Sequence, residues 1–378
     1  MEYDFYVYAA ALSKVFFFQP AGASRAVEEF GGVEEIFRLG EKQFLEKAPG
    51  AAALAGQLFD PALLEWAARE IDWCISSGIR PLCPGDLQYP RRLAECPDAP
   101  VILYTLGDAD LNAAKMLAVV GTRRSTYYGR EACSGVVLNL RNHCGEVTVI
   151  SGLAFGIDDR AHTSSIEAGL PTVAAIPTGL DTIYPATHRD LAKKILKTGG
   201  ALVTDFPRGS ATRKVQFLRR NRIIAGMADC CLLGESYAKG GGLITTSLAD
   251  SYGREVAAIP GRTTDPSFEG CNNLIASNRA HLVTSATDIG ELMGWSAKRQ
   301  GKSRHNSPAA EPEIDFGEAG ACGEAILKAL GESGAMSFDS IAQTVPFSVS
   351  DIAAALTTLE LSGAVRENNR IYEPGRHV

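Results

Sequence analysis

The sequence is poor in the features that mark metal-binding, disulfide-bonded and membrane-spanning proteins. Its nine cysteines form no Cys-x-x-Cys pair, and only six histidines accompany them among 378 residues. This pattern argues against a zinc site or a disulfide framework and favours buried, reduced thiols. No apolar run approaches the roughly 20 residues that cross a bilayer, and acidic residues stand near the start, where a signal peptide has basic ones. We therefore expect a cytoplasmic protein with no metal, cofactor or membrane partner.

The chain also lacks an excess of basic residues. It has 37 lysines and arginines against 44 acidic residues, a formal net charge of -7, which argues against general polyanion binding. The charge is distributed unevenly, because residues 115–285 carry 20 basic and 14 acidic side chains while both flanking segments are acidic. A basic central region between acidic flanks can still bind an anion locally.

Three motifs that are common in α/β enzymes are missing. The sequence contains no Gly-x-Ser-x-Gly nucleophile elbow, no Walker motif and no Gly-x-Gly-x-x-Gly that opens a helix. A hydrolase, a P-loop NTPase or a dehydrogenase would therefore lack its central chemical element. Asp158 and His162 stand four residues apart at a predicted helix start, and we interpret them as a helix N-cap and a core histidine rather than as a catalytic pair.

A repeating unit is what the sequence has instead. From Met116 onward, a short apolar run is followed by a Gly-containing loop and a helical stretch, and the runs begin 24 to 31 residues apart. Continuous apolar strands are covered on both faces, so this spacing predicts an α/β fold with a doubly wound, mainly parallel sheet. The predicted strands lie in 116–120, 147–150, 171–176, 200–204, 230–233, 255–259 and 281–284, with one added strand in 101–104.

Composition divides the rest of the chain. We predict an N-terminal helical domain over 1–75, the sheet domain over 76–295, a polar linker over 296–318 and a compact domain over 319–378. Three helices and a hairpin in the last segment indicate a winged helix-turn-helix, with Ser337 and Ser348 as helix caps. Its last helix, 348–363, has no Lys or Arg, which favours a protein contact or a packing role over DNA reading.

Function in such a sheet is expected in the loops after the strands. Glycines there let backbone N–H groups and helix N-termini bind phosphate, although each glycine taken alone is explained as well by a tight turn. The segment from Arg208 to Arg222 has six basic residues, no acidic one, and Phe217 and Asn221 among them. Such groups can follow a phosphate backbone, stack on a base and pair with a base edge. The alternative is a solvated basic helix face.

Eight ordered motifs resemble those of one family. They are Val-Gly-Thr-Arg-Arg-Ser-x-x-Tyr-Gly (120–129), Ser-Gly-Leu-Ala-x-Gly-Ile-Asp (151–158) with Ala-His (161–162), Gly-Leu-Asp-x-x-Tyr-Pro (179–185), Arg-Asn-Arg-Ile-Ile-Ala-Gly (220–226), Gly-Leu-Ile-Thr (242–245), Gly-Arg (253–254), Pro-Gly (260–261) and Gly-Cys-Asn (270–272). They closely resemble the DNA-processing protein A family, also called DprA or Smf.

The resemblance implies an extended Rossmann-type fold, a sterile-alpha-motif-like N-terminal domain and a C-terminal winged helix. It also implies a homodimer that binds single-stranded DNA and helps load the RecA recombinase during natural transformation and DNA recombination, without enzymatic activity. Arg123 would correspond to the family's phosphate-contacting arginine, and the stretch from Lys214 to Arg222 would line the DNA pocket. The predicted DNA-binding residues are Gly121, Arg123, Arg124, Ser151, Gly152, Gly156, Lys214, Phe217, Arg219, Arg220, Asn221, Arg222, Gly240, Gly242, Thr245 and Asn272.

Two other functions stay open at this point. Related Rossmann-type folds with a Gly-Gly-Gly-x-x-Thr loop include nucleotide hydrolases of the lysine-decarboxylase-like phosphoribohydrolase type. Such hydrolysis needs carboxylates near the scissile bond, and Asp250 is displaced along the helix from the triple glycine. Alternatively, the basic edge binds an acidic protein, in which case the chain is a scaffold.

Overall fold

The structure, a computed structural model, describes residues 2–17, 19–296, 318–361, 364–368 and 371–374. The chain divides into two compact units, Met1–Lys298 and Arg299–Val378. Most of the predicted linker, 297–317, lies outside the described residues. No helix in the described part of the chain has both the length and the apolar character that a membrane span requires.

Five helices open the first unit. They are α1 (Glu2–Val15), α2 (Pro20–Phe30), α3 (Val33–Lys47), α4 (Ala52–Leu58) and α5 (Pro61–Ser76). Local sequence explains several of their ends. Helices α2 and α5 begin at a proline, whose fixed φ suits the first helical position, and the Asp60 carboxylate accepts a 2.9 Å hydrogen bond from the Ala62 N–H. Helix α2 ends at Gly31 with φ 82°, the left-handed conformation that glycine adopts without strain. Their likeness to a sterile alpha motif stays a prediction.

A nine-stranded sheet follows the helices. Its strands are β1 (Arg80–Leu82), β2 (Leu103–Gly107), β3 (Met116–Val120), β4 (Thr148–Ser151), β5 (Thr172–Ala175), β6 (Ala201–Thr204), β7 (Cys230–Leu233), β8 (Glu255–Ala258) and β9 (His281–Leu282). They lie in the order β1-β2-β6-β5-β4-β3-β7-β8-β9. Strands β3 to β9 run parallel to one another, whereas β2 runs antiparallel to both β1 and β6. The doubly wound, mainly parallel sheet is thus confirmed, with two strands, β1 and β2, added on one side where one was predicted.

Helices connect these strands and cover the sheet. They are α6 (Arg91–Ala94), α7 (Tyr127–Cys144), α8 (Ile157–Glu167), α9 (Arg189–Lys197), α10 (Lys214–Met227), α11 (Gly241–Ser251), α12 (Glu269–Ala276) and α13 (Ala286–Leu292). Every residue of β3 to β7 is buried, as continuous apolar runs require. The N-terminal helices share a separate core with Val101, Ile102 and Tyr104, so they pack on the antiparallel edge of the sheet. All nine cysteines are buried free thiols.

The second unit has the winged-helix arrangement that the sequence predicted. It contains α14 (Glu318–Ser333), β10 (Met336–Ser337), α15 (Phe338–Thr344), α16 (Val349–Leu361), β11 (Val365–Asn368) and β12 (Ile371–Pro374), with the strands in the antiparallel order β10-β12-β11. Ser337 and Ser348 act as caps, because their hydroxyls accept hydrogen bonds from the backbone N–H groups of Ser340 and Asp351 at 3.3 and 3.2 Å.

The strand order changes direction at β3. The chain runs from β3 through β4 and β5 to β6 on one side, and then returns to place β7, β8 and β9 on the other side. In open parallel sheets, the loops on the two sides of such a switch point diverge and leave a crevice at the carboxyl ends of the strands. The fold therefore directs attention to the loops after β3, β4 and β7.

Candidate functional site

A cleft of about 410 Å³ lies at this switch point. Four segments supply its walls: the loop after β3, the loop after β4, one face of α10, and the start of α11. The lining residues are Val120, Gly121, Thr122, Arg123, Arg124, Ala154, Asp158, Phe217, Leu218, Arg220, Asn221, Ile224, Tyr237, Gly240, Gly241, Gly242 and Thr245. The structure thus brings together nine of the sixteen predicted site residues, although they are spread over 125 positions of sequence.

The α10 wall combines an aromatic ring with cationic and amide groups. Phe217, Asn221 and Ile224 lie on one face of α10, as their spacing of four and three residues requires. The guanidinium carbon of Arg123 lies 4.5 Å from the centroid of the Phe217 ring, which is cation–π distance. The Tyr184 ring meets the same Phe217 ring edge-on at 5.3 Å. An exposed cation and a stacking surface are therefore adjacent at the mouth of the cleft.

The opposite wall is formed by backbone segments that pack closely together, namely the start of α11 and the loops after β3 and β7. Gly240 is the N-cap of α11, and the first N–H groups of a helix have no partner within it and carry a partial positive charge. A methyl group on Gly242 would lie 2.6 Å from the Leu233 side chain and 3.2 Å from the Gly121 Cα. Only glycine allows this close approach of the loops after β3 and β7, which brings the start of α11 to the cleft.

An ion pair forms the floor of the cleft. The Arg220 guanidinium donates a hydrogen bond to the Ala175 carbonyl oxygen at 3.2 Å and lies 4.0 Å from the Asp158 carboxylate. Burial lowers the pKa of Arg220 to about 10, with Asp158 acting against the shift. Burial also raises the pKa of Asp158, against the opposing effects of Arg220 and the Ala154 N–H. Gly152 leaves room for the Arg220 guanidinium, because a methyl group at this position would lie 1.4 Å from the Arg220 Nη1.

Exposed groups surround the mouth of the cleft. Arg124 lines it, whereas the predicted site residue Lys214 lies outside the lining, at the first position of α10 beside the exposed Arg213. Within the described ranges, neither Lys214 nor Arg213 forms an ion pair. Three exposed aromatic residues, Phe155, Tyr184 and Tyr237, also lie at the cleft or at the small adjoining cavity. The sequence analysis did not select these aromatics, although each of them follows a strand on the carboxyl edge of the sheet.

Two of the predicted arginines face the core rather than the cleft. Arg219 and Arg222 both donate to the Oδ2 atom of Asp205, the former at 3.3 Å. Arg222 also donates to the Asp98 carbonyl oxygen, and Arg219 stacks 4.5 Å from the Phe17 ring. The predicted basic segment has no acidic residue within 208–222, but Asp205 lies three residues before it and neutralises part of it. Spacing along the chain could not show which side of α10 each arginine occupies.

Ser151, Gly156 and Asn272 also lie outside the lining of the cleft. The Ser151 hydroxyl donates to the Val119 carbonyl oxygen at 2.6 Å, and the Asn272 amide makes two 3.1 Å hydrogen bonds with the Gly261 backbone. Gly156, with φ 88°, is the N-cap of α8, where a methyl group would lie 2.3 Å from the Thr122 carbonyl oxygen. Ser151 and Gly156 thus support the loops after β3 and β4, whereas Asn272 supports the loop after β8, which contributes no residue to the lining of the cleft.

The residues considered for catalysis occupy other positions. Asp158 is the second residue of α8, so its interpretation as the N-cap was wrong. His162 is fully buried, with its Nδ1 atom 2.8 Å from the Thr172 hydroxyl. Asp250 lies outside the cleft, 3.3 Å from Arg279. Glu235, which the sequence analysis did not consider, accepts hydrogen bonds from the Thr126 N–H at 2.9 and 3.1 Å, and burial raises the pKa of its carboxyl. No grouping of three potential metal ligands occurs among the described residues.

Known proteins match this chain over both units. The family described as DNA recombination-mediator protein A matches residues 80–294, and the DprA winged helix domain matches residues 307–368. Protein Smf of Escherichia coli is 32% identical over 291 residues, which are 75% of this chain and 74% of that protein. The solved structure of DNA processing protein A from Streptococcus pneumoniae has a TM-score of 0.54 and 33% identity, covering 66% of this chain and 90% of that one.

A further solved structure is similar in fold. It is that of DNA processing protein A from Helicobacter pylori, whose study concerns its single-stranded DNA binding mode. Its TM-score is 0.51 with 24% identity, and the match covers 58% of this chain and 97% of that chain.

Proposed function

Because the chain belongs to the family described as DNA recombination-mediator protein A, we propose that it binds single-stranded DNA in the cleft at the sheet's switch point. The observation that carries this proposal is the contact between the Arg123 guanidinium and the Phe217 ring. A single strand alternates phosphates with unpaired bases, so it needs a cation next to a stacking surface. The single-stranded DNA binding mode of the Helicobacter pylori relative supports the same ligand.

The cleft offers separate groups to each part of the strand. Arg123, Arg124 and Lys214 supply charge for phosphates, and the N–H groups at the start of α11 add a fixed positive end. Phe217 offers a ring face for a base, and Asn221 on the next turn of α10 offers an amide for a base edge. Gly121, Gly240, Gly242 and Thr245 shape the opposite wall.

The remaining predicted residues act indirectly in this proposal. Arg220 and Gly152 organise the floor of the cleft, and Gly156 supports the loop that carries Arg123. Arg219 and Arg222 hold α10 against Asp205, and Ser151 and Asn272 satisfy backbone groups. The loss of any of these should affect binding through the shape of the cleft.

The finer functional statements are also proposals. We propose that the protein loads RecA onto the bound strand during natural transformation, works as a homodimer in the cytoplasm and has no enzymatic activity. The family resemblance supports each of these. The division into 1–75, 76–295, 296–318 and 319–378 is supported in part by the ends of the two family matches, 80–294 and 307–368.

The experiment is equilibrium binding of the full-length protein to labelled single-stranded and duplex oligonucleotides of equal length across a salt series. We expect a preference for the single strand and a log-log salt slope of several units, since each neutralised phosphate contributes about 0.7 on single strands. The variants are Arg123→Ala and Arg124→Ala. The matched control is Lys197→Ala, which removes an exposed cation at the end of α9. This residue lies just before β6, at the amino ends of the parallel strands, whereas the cleft lies at their carboxyl ends.

The results separate the alternatives. Absence of binding at low salt would refute DNA as the ligand, and equal weakening by Lys197→Ala would refute the location. Competition by polyglutamate as effective as by single strands would support the scaffold instead. Nucleotide turnover that disappears in Asp250→Ala would support the hydrolase. RecA loading is tested separately, by the rate at which RecA hydrolyses ATP on strands already coated with a single-strand-binding protein.

A further inference from the structure

The floor of the cleft pairs the Asp158 carboxylate with the Arg220 guanidinium, beneath a positive mouth. Asp158 lines the cleft with a side chain that is 10% exposed, while Arg123 and Arg124 lie at the mouth and are exposed. An ionised carboxylate only accepts hydrogen bonds, so it repels a phosphate and attracts N–H donors. Because the charge of Arg220 at the floor is offset by Asp158, whereas Arg123 and Arg124 at the mouth are exposed, we expect the phosphate of a nucleotide at the mouth and its base directed toward the floor.

Burial raises the pKa of Asp158, and two neighbouring groups oppose this shift and favour the carboxylate. The Arg220 guanidinium lies 4.0 Å away, and the Ala154 N–H also favours the carboxylate. Arg220 directs one of its donors to the Ala175 carbonyl oxygen, and the guanidinium occupies the space above Gly152. Asp158 and Arg220 thus both line the cleft, and the contacts of Arg220 hold its guanidinium beside the carboxylate.

The bases differ in what they present to a carboxylate. On its Watson–Crick edge, guanine has two adjacent donors, N1–H and the 2-amino group, which match the two oxygens of a carboxylate. Adenine and cytosine have one amino donor next to an acceptor, and thymine has a single donor between two acceptors. A carboxylate therefore pairs with guanine through two parallel hydrogen bonds, in the same way that it pairs with a guanidinium.

Two other lining groups that can contact a base, Asn221 and Phe217, discriminate less. The Asn221 amide has both donors and acceptors and can pair with any base edge. Phe217 stacks on every base, because each has a π face. Asp158 is the one lining side chain in the described cleft that is restricted to accepting hydrogen bonds.

We propose that Asp158 is a specificity-determining residue, and that the cleft prefers guanine over the other bases of a single strand. This inference rests on the proposed binding of single-stranded DNA in the same cleft. It adds a base preference to a ligand class that is otherwise independent of sequence.

The test compares three oligonucleotides that are identical except at one central position in a thymidine background. The central base is guanine, hypoxanthine or thymine, and hypoxanthine lacks only the 2-amino donor of guanine. For the full-length protein we expect the guanine strand to bind at least about fivefold more tightly than the thymine strand, as expected for a bidentate base contact. The hypoxanthine strand should lie between the two.

Asp158→Asn replaces one acceptor oxygen by a donor at almost constant volume. We expect it to lower the affinity for the guanine strand to that for the thymine strand. The matched control is Asp159→Asn, because this neighbouring carboxylate accepts from the Gly156 N–H and lies outside the lining of the cleft. Asp159→Asn should retain the order guanine, hypoxanthine, thymine.

Each outcome has a separate meaning. Equal binding of all three strands by the unaltered protein, with binding still dependent on Arg123, would overturn the base preference and leave the proposed function intact. A guanine preference that persists in Asp158→Asn would overturn the role of Asp158. Failure to bind any strand would overturn the proposed function itself. The comparison of strands on the unaltered protein decides the preference even if Asp158→Asn does not fold.

Discussion

The Asp205 carboxylate and the Arg222 guanidinium form a buried ion pair on the core side of α10, with side chains only 2% and 4% exposed. Arg219 shares the same carboxylate oxygen. Phe217 and Asn221 lie on the opposite side of this helix and line the cleft. One helix is thus held by its basic residues on one side and presents the candidate binding groups on the other.

Arg222→Ala should therefore destabilise the protein. Removal of one partner leaves Asp205 as a buried charge with less compensation, and such changes cost about 3 to 5 kcal/mol. The measurement is urea denaturation followed by tryptophan fluorescence, which reports the first unit because Trp66, Trp73 and Trp295 all lie there. Lys214→Ala, an exposed cation of the same helix, should change the free energy of unfolding by less than about 0.5 kcal/mol. A loss below 1 kcal/mol in Arg222→Ala would contradict the structural role.

Arg123→Ala and Phe217→Ala should weaken binding of single-stranded DNA in distinguishable ways. Loss of a phosphate contact lowers the magnitude of the log-log salt slope by about 0.7. Loss of a stacking surface costs about 1 to 3 kcal/mol per base with little change of slope. Fluorescence anisotropy at four salt concentrations separates the two. Identical changes of slope in both variants would argue against separate roles for Arg123 as a phosphate contact and Phe217 as a stacking surface.

Gly152→Ala should disturb the floor of the cleft. The added methyl group would overlap the Arg220 guanidinium, which must move away from Asp158. We expect a lower thermal midpoint and weaker binding of DNA. Gly135→Ala is the matched control, because a methyl group on this glycine of α7 meets nothing within 4 Å and alanine is the better helix former by about 1 kcal/mol. Equal thermal midpoints for the two variants would show that the position of Arg220 does not depend on the absence of a side chain at Gly152.

The stability of the protein should depend on His162 at mildly acidic pH. Burial lowers the pKa of His162 to about 3, whereas an unfolded histidine titrates near 6.5. Between these values the unfolded state binds the proton and the folded state does not. The free energy of unfolding therefore falls as the pH is lowered from 6.5 toward 3, by up to about 1.4 kcal/mol per pH unit.

His162→Gln should remove that part of the acid sensitivity. Other groups act in the opposite direction, because burial raises the pKa values of Asp158, Asp159 and Glu70 and so favours the folded state at low pH. For this reason the quantity to compare is the difference between variant and unaltered protein. Urea midpoints at pH 7.5 and pH 5 supply it. The same decrease in both proteins would exclude His162 as the source.

The fold was predictable from the sequence to the extent that it follows from local patterns. Apolar runs that begin 24 to 31 residues apart predict β3 to β9, and every predicted strand end agrees with the structure to within two residues. The agreement arises because strands buried on both faces need continuous apolar sequence. Strand β1 was missed, since Arg80–Leu82 contains a proline and is too short to show a pattern. The packing of the N-terminal helices on the antiparallel edge was equally invisible, because it depends on Val101, Ile102 and Tyr104, which are distant in sequence.

The sequence by itself determined the edge of the sheet at which the site lies and the glycine and basic residues that reach it. Only the tertiary structure decided which of those residues face the cleft. Arg219, Arg220 and Arg222 lie within a single helical turn, yet Arg220 points to the cleft and the other two to Asp205. Their direction is set by a carboxylate outside the basic segment, Asp205, and by the room that Gly152, which has no side chain, leaves for the Arg220 guanidinium. A pattern along the chain reports residue type and spacing, whereas the use of each charge depends on the partners that folding brings within hydrogen-bond distance.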